Sequence, residues 1–229
     1  MPFGLCNAPA TFQREMNRIF FNLIGKSVFV YIDDLVVFSP SYEQHVKDLS
    51  EVFTILQDNG LKLNLEKCHF FQEEVELLGH VLSTKGIQPI PEKVNVIYNW
   101  IPPKDVSKLR SFLGAVGYYR KFIKDFAQIA SPLFQLLKKD SKFEWTKESD
   151  LAFKTLKERL IQVPILIPPD FNKQFIIRSD ASRSGIGGVI IQKDDNGVEK
   201  PIHYVSKVLP KAETNIVLPT WRELQHYSA

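Results

Sequence analysis

Apolar residues recur along this chain with two different periods, and the switches between them mark its elements. Phe12, Met16, Ile19, Phe20 and Leu23 fall at helical spacing and leave one apolar face. Asn7 can cap that helix, Pro9 suits its first turn, and Gly25 ends it. Two short β-branched and aromatic runs follow, Val28-Phe29-Val30-Tyr31-Ile32 and Leu35-Val36-Val37-Phe38, which predict two buried strands. Asp33 and Asp34 stand between them, where a hairpin has to turn. Ser39-Pro40 breaks the second run, and Ser41 with Gln44 has the form of a capping box. Val46, Leu49, Val52, Phe53 and Leu56 then mark a second amphipathic helix that stops near Gly60.

Residues 61–65 alternate apolar and polar, as a half-buried strand does, and residues 68–71 and 75–82 read as further strands. Pro89 and Pro91 predict a hinge-like connection, and Pro102-Pro103 a second break. Residues 105–124 predict a long helix. Leu109, Phe112, Leu113, Val116, Tyr119 and Ile123 form its apolar face, with Arg110, Gly114, Gly117, Tyr118 and Lys121 opposite. Two glycines inside a helix cost about 1 kcal/mol each relative to alanine, so something must offset them. A side-chain-free patch flanked by Arg and Lys lets a phosphate ridge or a minor groove approach; the plain alternative is packing against a neighbouring helix. Thr146 can cap a helix with Ala152, Phe153, Leu156 and Leu160 inward. Pro164, Pro168 and Pro169 force extended chain, after which residues 175–182, 185–192 and 202–206 read as strands, with an Asp195-Asn196-Gly197 turn.

With 229 residues, 44% hydrophobic and 24% charged, the chain is a globular core-former of one large or two modest domains. No apolar run reaches membrane-spanning length, and no secretory leader is visible. No targeting signal separates a cytoplasmic from a nuclear location. Cys6 and Cys68 have neither metal-ligand spacing nor a disulfide framework, and read as small packed residues. Likewise His45, with Asp48 three residues on, reads as packing or surface, since two ligands do not make a metal site. The net charge of +3 is uneven. Residues 102–142 hold nine Lys and Arg against three Asp, which leaves the remainder mildly acidic. A basic segment on such a chain suits a polyanionic partner.

Two adjacent carboxylates between apolar strands repel each other and cost desolvation, an objection that a divalent cation removes. Hard oxygen ligands suit Mg2+, held by one or two carboxylates plus substrate phosphates. Tyr31-Ile32-Asp33-Asp34 resembles the Tyr-x-Asp-Asp hairpin of reverse transcriptases. Upstream, Met1-Pro2-Phe3-Gly4-Leu5-Cys6-Asn7-Ala8-Pro9-Ala10-Thr11-Phe12-Gln13 resembles the stretch before that hairpin in gypsy-like LTR retroelements, in the same order and at about the same spacing. Leu78-Gly79-His80 resembles the family's primer-grip hairpin, the helix after Asp105 its thumb, and residues 175 onward the start of its RNase H domain.

The resemblance implies an α+β fold. A partial polymerase palm would occupy 1–88, a helical thumb and connection 89–142, and a truncated RNase H-like α/β domain 143–229. It implies RNA-directed DNA polymerisation within a Pol polyprotein, on an RNA/DNA template-primer with deoxynucleoside triphosphates and Mg2+. Asp33 and Asp34 would hold the polymerase metals, and Tyr31 would shape the turn and touch the primer end. Phe3, Gly4 and Gln13 would belong to the nucleotide and template pocket. Leu78, Gly79 and His80, with Arg110, Gly114, Tyr118 and Lys121, would contact nucleic acid. Asp180 and Glu223 would be the first two RNase H metal ligands. Residues 216–221 depart from the family's usual polar segment before Glu223. One polymerase acid is expected before Met1 and two RNase H acids after Ala229, so the chain alone is expected to be inactive. The rival readings are a remnant that only binds nucleic acid and a metal-dependent nuclease built on the C-terminal half.

Overall fold

The computed structural model describes residues 5–138, 142–181 and 185–209. The chain divides into two compact units, Met1–Gln72 and Glu73–Ala229. No helix among the described residues is long and apolar enough to cross a membrane.

In the first unit, helix α1 (Ala8–Ile19) leads to strands β1 (Val28–Tyr31) and β2 (Asp34–Val37), then to helix α2 (Tyr42–Asp58). The strands pair antiparallel, Val28 opposite Val37 and Tyr31 opposite Asp34. Val28 and Val30 point inward and join Met16, Phe20, Leu23, Val52 and Leu56 in one core, with Leu35 and Val37 packed against it. Helix α1 is shorter than its apolar spacing predicts. It ends at Ile19, and Phe20 and Leu23 reach the same core from a turn in which the Leu23 carbonyl accepts from the Val28 N–H at 3.1 Å. Gly25, at φ 78°, completes the turn into β1. Asn7 occupies the cap position without a side-chain bond, and Cys6 is exposed rather than packed.

Ser41 caps α2 by accepting from the Gln44 N–H at 3.2 Å. The Gln44 amide does not reach back, as a full capping box requires. It donates forward to Asp48 at 2.9 Å. Ser39 donates to the same carboxylate at 2.5 Å, and with the Gln44 amide it holds the Asp48 carboxyl below its ordinary range. The strands predicted at 61–65 and 68–71 do not form. Leu65 is 71% exposed, no strand among the described residues lies alongside, and Asn64 bends the chain by accepting from the Glu66 N–H at 3.1 Å. Phe71 takes a left-handed φ of 55° and stacks on Tyr42, with ring centroids 5.1 Å apart.

The second unit opens with an antiparallel meander of β3 (Glu74–Leu77), β4 (His80–Ser83) and β5 (Gly86–Pro89). Helix α3 (Pro91–Tyr98) occupies the predicted hinge, with Pro91 in its first turn. Helix α4 (Val106–Tyr118) is capped by Asp105, which accepts from the Lys108 N–H at 2.8 Å. It ends at Tyr118, short of the predicted Lys124, and a 3-10 turn at Arg120–Phe122 follows. Helices α5 (Phe126–Gln135) and α6 (Lys147–Ile161) complete a bundle with a single core. Leu109, Phe112, Val116, Phe122, Ala130, Leu133, Phe153, Leu156 and Leu160 lie inside it. The predicted inward faces of α4 and α6 are therefore the observed ones.

A second meander, β6 (Ile176–Ala181), β7 (Gly185–Lys193) and β8 (Glu199–Val208), follows the proline-rich segment. That segment is pinned at several points. Leu166 exchanges backbone hydrogen bonds with Ile87 on β5, at 2.7 and 2.9 Å, and the Ile167 N–H donates to the Pro201 carbonyl on β8 at 3.0 Å. Buried Gln192 donates to the carbonyls of Asp170 and Lys173 and accepts from the Asp170 N–H. The segment thus links the two meanders, which its prolines alone do not reveal.

Candidate functional site

The two acids do not share the turn as the sequence suggests. Ile32 and Asp33 make the two-residue turn, and Asp34 is the first residue of β2, opposite Tyr31. Residues opposite each other in an antiparallel pair share a face. Asp34 and Tyr31 therefore stand together on the outward face, away from Val28 and Val30. Asp33, Asp34 and Tyr31 are all exposed.

Ile32 has φ 50°, a left-handed conformation that a β-branched residue rarely adopts. Surrounding structure has to hold such a residue in place. Gln13, on α1, does so. Its Oε1 accepts from the Ile32 N–H at 2.6 Å, and its Nε2 donates to the Val30 carbonyl at 3.2 Å and to Asn17 at 2.9 Å. The structure engages the Gln13 amide with the hairpin backbone, a role with no signal in local spacing. Gln13→Leu should accelerate amide exchange at Ile32 about tenfold, the loss of a hydrogen bond of ordinary strength, while Gln13→Glu keeps the acceptor for Ile32, loses the donor to the Val30 carbonyl, and should fall between the Leu variant and the wild type. Equal protection in the Leu variant would show that Gln13 does not hold the turn.

Neither Asp33 nor Asp34 has a hydrogen-bond or salt-bridge partner for its side chain among the described residues. Two free, adjacent carboxylates on a rigid turn are a hard oxygen donor set, and they fit a divalent cation. Among the described residues no three His, Cys, Asp or Glu come together as a metal site. His45 in particular lies beside the Ser39 hydroxyl, with Nδ1 at 3.1 Å.

The other candidate residues lie in the second unit. Leu78 and Gly79 form the β3–β4 turn, with φ of 46° and 71°. His80 is 9% exposed, its ring surrounded by those of Tyr118, Tyr119 and Phe122. Its Nδ1 donates to the Leu78 carbonyl at 2.7 Å, so the neutral ring leaves Nε2 bare, and that atom has no partner. Burial and the Lys121 charge both hold the His80 imidazole below its ordinary range. The His80 side chain is therefore turned into the protein.

On α4, Arg110 and Gly114 are exposed, and a Cβ at Gly114 would meet nothing within 4 Å. Helix packing does not account for that glycine. At Gly117 a Cβ would make only ordinary contact with Phe126. Lys121 does not share a helical face with Arg110, because α4 ends first. Its ammonium lies 5.1 Å from the centre of the Phe122 ring, and burial lowers its proton affinity. Tyr118 is half exposed.

Asp180 is exposed near the end of β6 and lies opposite Gly187 on β7. A Cβ at Gly187 would collide with the Asp125 carboxylate, so the start of α5 rests on the sheet face that Asp180 shares. Phe3, Gly4 and Glu223 lie outside the described residues.

Residues 1–82 match the family described as reverse transcriptase (RNA-dependent DNA polymerase). Residues 145–225 match the RNase H-like domain found in reverse transcriptase. The chain is 46% identical over 217 residues to the retrovirus-related Pol polyprotein from transposon 297 of Drosophila melanogaster, covering 94% of this chain and 20% of that protein. It is 42% identical over 215 residues to the corresponding polyprotein from transposon 412 of the same organism, covering 94% of this chain and 17% of that one. Against the transposon Tf2-3 polyprotein of Schizosaccharomyces pombe the identity is 37% over 215 residues, covering 94% and 16%. The chain thus spans about a fifth of the length of the curated relatives it matches. Among solved structures, the foamy viral protease-reverse transcriptase in complex with dsDNA superposes with a TM-score of 0.83 at 26% identity, covering 98% of this chain and 48% of that one. The same viral protein in complex with an RNA/DNA hybrid gives 0.81 at 26% identity, covering 100% and 31%.

Proposed function

This chain belongs to the retrovirus-related Pol polyprotein family and carries its reverse transcriptase and RNase H-like segments, and on that premise we propose that it contributes the Asp33-Asp34 half of an RNA-directed DNA polymerase active site. The observation that carries this is the pair of unpartnered carboxylates on a turn fixed by Gln13. We assign residues 1–88 to the palm, 89–142 to the thumb and connection, and 143–229 to the RNase H-like region. The assignment follows function rather than packing, since α6 shares its core with α3–α5. Asp33 is the main metal ligand and Asp34 the second, with Asp180 and Glu223 serving the RNase H-like region. Asp33 and Asp34 would hold Mg2+, and the ion would supply charge stabilisation for phosphate oxygens and for the ionised form of an attacking hydroxyl. Gln13 keeps Asp33 at the tip, and Tyr31, beside Asp34 on the outward face, lies against the primer end. The substrates are an RNA/DNA template-primer and deoxynucleoside triphosphates, with the remaining parts supplied by a Pol polyprotein.

Primer extension tests the reading. A chimaera in which residues 1–229 replace their counterpart in the transposon 297 polyprotein should extend a DNA primer on an RNA template in Mg2+. A folded chimaera that binds template-primer and adds no nucleotide would overturn it.

The thumb assignment has its own test in the chain as it stands. Contacts to phosphate release counterions, so affinity falls as salt rises, with a slope set by the number of contacts. Arg110→Ala should weaken hybrid binding and flatten that slope by about one unit. Because Lys121 is packed on Phe122, Lys121→Ala should in addition lower the melting temperature. Gly114→Leu should weaken binding several-fold without lowering the melting temperature, because the position is open and leucine is the better helix former. Unchanged binding with a lowered melting temperature would return Gly114 to a packing role.

A further inference from the structure

Two tyrosines at the end of α4 reach across 40 residues of sequence to one turn. The Tyr118 hydroxyl donates to the Leu78 carbonyl at 2.5 Å, and the Tyr119 hydroxyl donates to the Gly79 carbonyl at 3.0 Å. His80 Nδ1 adds a third donor, again to Leu78. The Tyr118 ring lies against the turn, and a Cβ at Gly79 would stand 3.1 Å from its Cε1. Tyr119 is 4% exposed, and burial together with Tyr118 raises its phenol above the ordinary range, so it keeps the proton it donates. A hairpin tip with two left-handed residues and no such donors would be free to open. Here both of its consecutive carbonyls are held by one helix end.

We propose that Tyr118 and Tyr119 are positioning residues that latch the Leu78–Gly79 turn to α4, so that the helix lying on the duplex fixes where the turn meets the primer end. This rests on the polymerase reading above. Neither tyrosine is a catalytic residue; both act through the turn. Tyr119, one residue past the end of α4, is buried and points at Gly79, while Tyr118 remains half exposed.

The test uses the whole chain and its Tyr119→Phe variant, which removes the buried hydroxyl and keeps both rings around His80. Amide hydrogen exchange across residues 77–80, without nucleic acid, reads the latch itself. It should quicken about fivefold, the effect of losing one hydrogen bond of ordinary strength. Binding is then compared for two RNA/DNA hybrids of equal length, one continuous and one with a recessed primer 3′ end. The wild-type chain should prefer the recessed end. The variant should lose that preference several-fold while its affinity for the continuous hybrid and its salt slope stay unchanged. Unchanged exchange would overturn the latch. Proportional weakening on both hybrids would reduce the tyrosines to a structural role and overturn the positioning. A wild-type chain that binds neither hybrid would overturn the polymerase reading and the positioning together, and the exchange result would still tell that failure from failure of the latch.

Discussion

Asp33→Asn is expected to lower primer extension by the transposon 297 chimaera about a hundredfold or more. The substitution keeps the size of the side chain and its suitability for a turn, and removes one negative charge from an exposed tip. Metal-assisted charge stabilisation is worth several kcal/mol, and a hundredfold corresponds to about 2.7 kcal/mol. Asp34→Asn should cost less, as the second ligand. The melting temperature should not fall for either variant, because neither carboxylate has a partner among the described residues to lose. Raising the Mg2+ concentration should recover part of the Asp33→Asn loss if the defect lies in holding the cation. Full activity in Asp33→Asn at low Mg2+ would remove Asp33 from the metal site.

Gly86→Val should destabilise the second unit by about 3 kcal/mol or more, a fall of roughly 6–12 °C in melting temperature for a unit of this size. Gly86 sits at φ 132°, a conformation that side chains rarely adopt, and a Cβ there would collide with the Leu166 carbonyl. That carbonyl accepts from the Ile87 N–H at 2.7 Å in the link between β5 and the proline-rich segment. The substitution therefore combines backbone strain with a broken bridge. Gly197→Asn is the control. Its φ of 77° is also left-handed, but a Cβ there meets nothing within 4 Å, and asparagine tolerates that conformation. It should cost less than about 1 kcal/mol. Equal losses at the two positions would mean that strain alone governs, and that the Leu166 contact adds nothing.

Local periodicity by itself determined a good part of this protein. Burial on one side of a helix or strand leaves its mark at fixed intervals, so the inward faces of α4 and α6 could be read from apolar spacing. So could the hairpin around Asp33-Asp34 and the strands of the last meander. The family, too, was legible, because its signature residues are contiguous: Tyr31 to Asp34, and the run from Pro2 to Gln13. Alternation misled at residues 61–65, since a strand needs a partner to hydrogen-bond and none lies alongside among the described residues. Helical spacing overran the true ends at Ile19 and Tyr118, because Phe20, Leu23, Tyr119 and Ile123 stay buried after the helices have stopped. What the tertiary structure alone decided are the bonds between residues distant in sequence. Gln13 clamps Ile32, His80 is packed among three rings, and the tyrosine hydroxyls are aimed at Leu78 and Gly79. Leu166 is laid along Ile87 in the same way. Each depends on where a second element is packed, and sequence spacing holds no record of that distance.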